Sequence, residues 1–82
     1  MSVVPFPLSR QRGWIAKHLS ACRNYSSAGM SSYLSRRVEE YAARLTRAGV
    51  DEQVIDRDIA PVYQRFVNAV ADRMDAEEQR RA

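Results

Sequence analysis

His18 and Cys22 are the only histidine and the only cysteine in this 82-residue chain, and they stand four residues apart. On a helix that spacing puts both on one face, where they can supply two metal ligands. A closed zinc site takes four, and no further Cys or His is present to complete one. The pair therefore reads as a core-edge histidine beside a buried thiol, with no metal and no cofactor expected. Asp56 and Asp58 could be drawn as an acid/base pair, but i,i+2 residues on a helix point to different faces. Gly13, Gly29 and Gly49 lie too far apart for a phosphate-cradling loop. No catalytic set emerges, and the chain is expected to be non-enzymatic.

What remains is cationic. Twelve of the thirteen basic residues are arginine, which suits bidentate pairing with carboxylate or phosphate. Residues 1–50 carry eight basic side chains against two acidic ones, and residues 51–82 carry five against eight. The halves can neutralise each other across a helix interface, or the basic half can meet an external acidic partner. Tyr33, Arg36, Arg37, Glu40, Arg44 and Arg47 share one helical face. Glu40 and Arg44 form an i,i+4 pair in the favourable order, worth a few tenths of a kcal/mol, which leaves the other arginines unpaired. Arg10 and Lys17 flank Trp14 on an outward face. An aromatic between cations can take an acidic group or stack on a base, or Phe6 and Pro5 can fold back over it. Phe6, between two prolines, is a stiff apolar hook for either the chain's own core or a partner's groove. The candidate partner-binding residues are thus Phe6, Arg10, Trp14, Lys17, Tyr33, Arg36, Arg37, Arg44 and Arg47.

The elements that position these residues can be read from hydrophobic periodicity. Residues 1–8 are extended, because Pro5 and Pro7 fix φ and push Val4 and Phe6 away from the helical region. Ser9 caps a first helix over about residues 10–23, with Ile15, Leu19 and Cys22 inward. Asn24–Gly29 is a turn, and Ser26, Ser27, Ser31 and Ser32 offer caps for a second helix over about 29–48. Its apolar stripe is Met30, Leu34, Val38, Tyr41, Leu45 and Ala48, and Gly49 is a natural C′ residue. Asp51 caps a third helix over about 52–76. There Ile55, Ile59, Val62, Phe66 and Val70 form the stripe, widened by Tyr63, Ala69 and Met74. Pro61 interrupts its hydrogen bonding, and because the stripe keeps phase across it, a kink near 57–61 is expected rather than two helices. The polar tail 76–82 should fray. The fold expected is all-α: a three-helix bundle-like single domain, residues 1–82, with an extended N-terminal arm.

A chain this short is marginal by itself, which leaves room for a dimer contact or a bound partner. No apolar run approaches the ~20 residues of a membrane span. MSVVPFPLS lacks the charge and apolar core of a signal peptide, and a lone cysteine fits a reducing compartment, so a cytoplasmic location and no membrane are expected. A DNA-reading helix-turn-helix built from the last two helices fails on charge: its recognition helix would begin DEQVIDRDI, which phosphates repel.

Val3 or Val4, Pro5, Phe6, Pro7 and Arg10, followed by Tyr33 and by Gly49-Val50, give a hydrophobic-x-PFP-x-x-R opening ahead of about three helices. This resembles a small uncharacterised bacterial and phage family, a domain of unknown function, across nearly the whole chain. Pro61 departs from the unbroken last helix the resemblance implies. The resemblance carries no catalytic residues and implies a small accessory protein associated with mobile elements.

Three functions are consistent with these features. The leading one is a regulatory or accessory protein whose arginine-rich face binds an acidic protein surface, for example an inhibitor of a nucleic-acid-handling machine. The second is direct nucleic-acid binding through Arg10, Arg12, Lys17, Arg36, Arg37, Arg44 and Arg47. The third is a structural homodimer.

Overall fold

Ser26 begins the central hairpin. Its backbone is extended (φ −64°, ψ 165°) and its hydroxyl accepts the Gly29 N–H, the N-cap arrangement that satisfies an otherwise orphaned donor. The computed structural model describes residues 12–81 and places three helices there: α1 (Arg12–Ala21), α2 (Ser27–Arg47) and α3 (Glu52–Arg81). The all-α, bundle-like architecture follows the periodicity. The N-terminal arm, with Phe6 and Arg10, lies outside the described residues.

The connection between α2 and α3 is only four residues, and each of them has a task. Val50 N–H bonds to Leu45 O and Gly49 N–H to Thr46 O, the paired bonds of a Schellman stop. Gly49 takes φ +85°, a left-handed value that side chains resist. Asp51 then accepts the Gln53 N–H on its carboxylate at 2.8 Å and the Ile55 N–H on its carbonyl, opening α3. This tight reversal makes α2 and α3 antiparallel.

Met30, Leu34, Val38 and Tyr41 from α2 meet Val62 and Phe66 from α3, and Ile15 and Cys22 close the cluster from the α1 side. All are buried. Ile55 is buried too, near the start of α3. Leu45, Ile59, Ala69 and Val70 pack at its margin. Three members of the expected stripes fall outside the core. Ala48 is the exposed C-cap of α2, past the last full turn. Tyr63 and Met74 are 52% and 56% exposed, because α3 touches its neighbours along a stripe narrower than its apolar face.

One expectation about α3, its end near residue 76, needs revision. The helix runs past residue 76 to Arg81. Its end is held from the other side of the hairpin: Ser27 N–H, in the first turn of α2, donates to Glu77 Oε2 at 3.1 Å. Arg73 Nη1 donates to Tyr25 O at 3.3 Å. Glu77 thus places a negative charge where the α2 dipole is positive, and the Ser27 bonds hold its carboxyl below the usual range. Pro61 leaves α3 a single helix, as the phase of the stripe implied, and it sits on the exposed side where water can reach the Arg57 carbonyl it leaves unpaired. The described body is elongated, 56 Å long and 19 by 18 Å across. No helix is long and apolar enough to cross a membrane among the described residues.

Candidate functional site

Trp14, Lys17 and His18 from α1 face Arg37, Glu40, Tyr41 and Arg44 from α2 across a cleft of about 300 Å³. Four of the residues singled out from the sequence, Trp14, Lys17, Arg37 and Arg44, therefore come together. Tyr33 lies beneath them. The Arg37 guanidinium sits 5.1 Å over its ring, and its hydroxyl shares a 2.9 Å hydrogen bond with His18 Nδ1. Arg36 and Arg47 are exposed and line no part of the cleft.

Trp14 does not point outward. It packs against Phe66 (centroids 6.0 Å, nearly parallel), against Tyr41 (5.8 Å) and edge-on to His18 (4.5 Å). The correction has a simple cause. α1 contacts both α2 and α3, so its buried face is broader than the one stripe through Ile15, Leu19 and Cys22. The 14–18 pair at i,i+4 is the sequence signal for that second edge. The result is a cleft lined by Trp14 and Tyr41 under a rim of cations, with Tyr33 supporting Arg37 from outside it.

The ion pairing also differs from expectation. Glu40 bonds Arg37 through Nη2 at 2.9 Å, an i,i+3 pair, rather than Arg44. The choice follows from Tyr33: its ring holds the Arg37 guanidinium in place, so that cation is already positioned for Glu40. Arg37 Nε is buried without a hydrogen-bond partner. Lys17 and Arg44 make no ion pair among the described residues. Three cations thus face one carboxylate.

His18 adds no fourth charge near neutrality. Burial, then repulsion from Lys17 and Arg37, holds its imidazole below the ordinary value of 6.5, against a smaller pull from Glu40. Cys22 is fully buried, donates its thiol to His18 O at 3.2 Å and to Leu19 O at 3.6 Å, and is pushed up by burial. The His18–Cys22 spacing thus ends in two separate structural commitments. Among the described residues no group of three or more His, Cys, Asp or Glu side chains is placed to hold a metal ion.

An all-α hairpin with a third helix laid on it, and a cation-rimmed aromatic cleft between the first two helices, define this protein's class. The chain belongs to a family of unknown function, DUF6074, whose model matches residues 1–82. That agrees with the resemblance to a domain of unknown function across nearly the whole chain. Comparison with curated proteins and with solved structures finds no match.

Proposed function

We propose that this chain is a small non-enzymatic accessory protein whose α1/α2 cleft receives an acidic side chain of a protein partner. The observation that carries the reading is the convergence of Lys17, Arg37 and Arg44 over Trp14 and Tyr41, with one carboxylate among them. Arg37 is held by Tyr33 and Glu40, so little rotamer entropy remains to be lost on binding. Lys17 and Arg44, at the rim, are free to close on a carboxylate. Inhibition of a nucleic-acid-handling machine is one concrete form of the role.

Trp14 favours a protein partner over nucleic acid. A tryptophan stacked on Phe66 and tilted against Tyr41 has one ring face already used, which weakens it as the platform for a base that the single-strand binding mode requires. The test is a comparison of the full chain with a Lys17→Glu/Arg44→Glu variant as bait in nuclease-treated extract of the native host. The variant should keep its circular dichroism spectrum and lose the partner. Retention of the same partner by both baits refutes the cleft. A nucleic-acid complex whose affinity falls steeply with salt, measured by fluorescence titration, overturns the choice of partner.

A further inference from the structure

The outer side of α3 carries a second apolar seam, of which the described chain covers only Val70, and that in part. Tyr63, Val67, Val70 and Met74 follow one another at steps of four, three and four residues. That is the 3.5-residue rhythm of a coiled-coil seam over two heptads. The inward seam, Ile55, Ile59, Val62, Phe66 and Ala69, keeps the same rhythm and is occupied by α1 and α2. On the outward one, Tyr63, Val67 and Met74 are 52%, 43% and 56% exposed. They border a groove of about 240 Å³ between α3 and α2, floored by Leu34 and Phe66 and edged by Ser31 and Ser35. The two serines are small enough to let another backbone approach.

We infer that this seam pairs with the α3 of a second copy of the chain, antiparallel and about a two-fold axis near residues 68–69. The occupant is specified by self-complementarity. The register that sets Val67 against the partner's Val70 also sets Tyr63 against the partner's Met74, so the four positions make four layers with no gap. Aromatic–thioether contact adds to the outer two. The same register brings Arg57 beside the partner's Glu78, and by symmetry Glu78 beside the partner's Arg57. Both side chains are exposed, and neither makes an ion pair within the described chain. In a parallel pairing residues 57 and 78 would lie about 31 Å apart, from the 1.5 Å rise per residue, and could not meet. An isologous contact of this kind closes with two chains.

The experiment is sedimentation equilibrium of the full chain over a range of concentrations, with charge-swap variants. Wild type should shift with concentration from 9.4 kDa toward twice that mass. Val67→Lys, at an exposed site that leaves helicity intact by circular dichroism, should hold it at one chain. Arg57→Glu and Glu78→Arg should each weaken the dimer about tenfold, since each turns two attractive contacts repulsive. The double variant should restore it. Residues 57 and 78 cannot touch within one α3, so the rescue reports only contact between chains. A wild-type chain that stays monomeric at millimolar concentration overturns the inference, and if removal of residues 1–9 then produces a dimer, the seam belongs to the chain's own N-terminal segment. Dimerisation without rescue by the double swap overturns the antiparallel register.

Discussion

Trp14→Ala separates the present reading from one in which that side chain is a free surface anchor. Trp14 touches Phe66, Tyr41 and His18, which between them link α1 to both partners. Truncating a buried tryptophan to alanine costs about 3–5 kcal/mol. Trp14 is half-buried rather than buried, so about 2–3 kcal/mol is the expected loss. In a domain of this size that corresponds to a fall in Tm on the order of 10–20 °C. Urea unfolding followed by circular dichroism at the helical band is the assay, because Trp14 is the only tryptophan and its own fluorescence vanishes with the substitution. Trp14→Phe should recover most of the loss, since a smaller ring still meets Phe66 and Tyr41. A Trp14→Ala variant within about 0.5 kcal/mol of wild type, the range of an ordinary surface substitution, would refute the packing argument. It would return Trp14 to the outward face. The same result bears on binding experiments: lost partner binding by Trp14→Ala reports on folding as well as recognition, whereas Lys17→Glu/Arg44→Glu tests recognition alone.

Two other outcomes follow from local geometry. Gly49→Ala meets no steric neighbour but forces φ +85° on an alanine, so it should cost about 1 kcal/mol in urea unfolding, with the helical content of the native state unchanged. His18 has a folded-state pKa below its unfolded value of 6.5, so its contribution to stability is present above 6.5 and is lost as the pH falls through the folded-state pKa. His18→Gln should therefore flatten the acid side of a plot of Tm against pH, and a wild-type plot already flat there contradicts the assigned direction.

The fold was largely legible in the chain because three helices of this kind announce themselves locally. Met30, Leu34, Val38 and Tyr41 repeat at helical spacing, and Gly49 stops one helix where Asp51 starts the next; each signal acts within a few residues. The candidate site was half legible. The arginines and Trp14 could be named from type and spacing, yet their convergence depends on how α1 lies against α2, which no local pattern encodes. Glu40 illustrates the gap. Its i,i+4 partner Arg44 was the natural reading, and its i,i+3 partner Arg37 prevails because Tyr33, seven residues upstream, fixes that guanidinium.

The sequence by itself determined the helical class, the hairpin stop, the inward stripes and the concentration of positive charge in the first fifty residues. These depend on backbone propensity and side-chain period. Only the tertiary structure decided that Trp14 turns inward and that Lys17, Arg37 and Arg44 face one cleft. It also decided that α3 persists to Arg81 by capping α2 through Glu77, and that Tyr63, Val67 and Met74 are left uncovered. Those outcomes turn on which helix lies beside which. An apolar face becomes core only where a neighbour covers it, and α1 and α2 cover one side of α3 and leave the other to water.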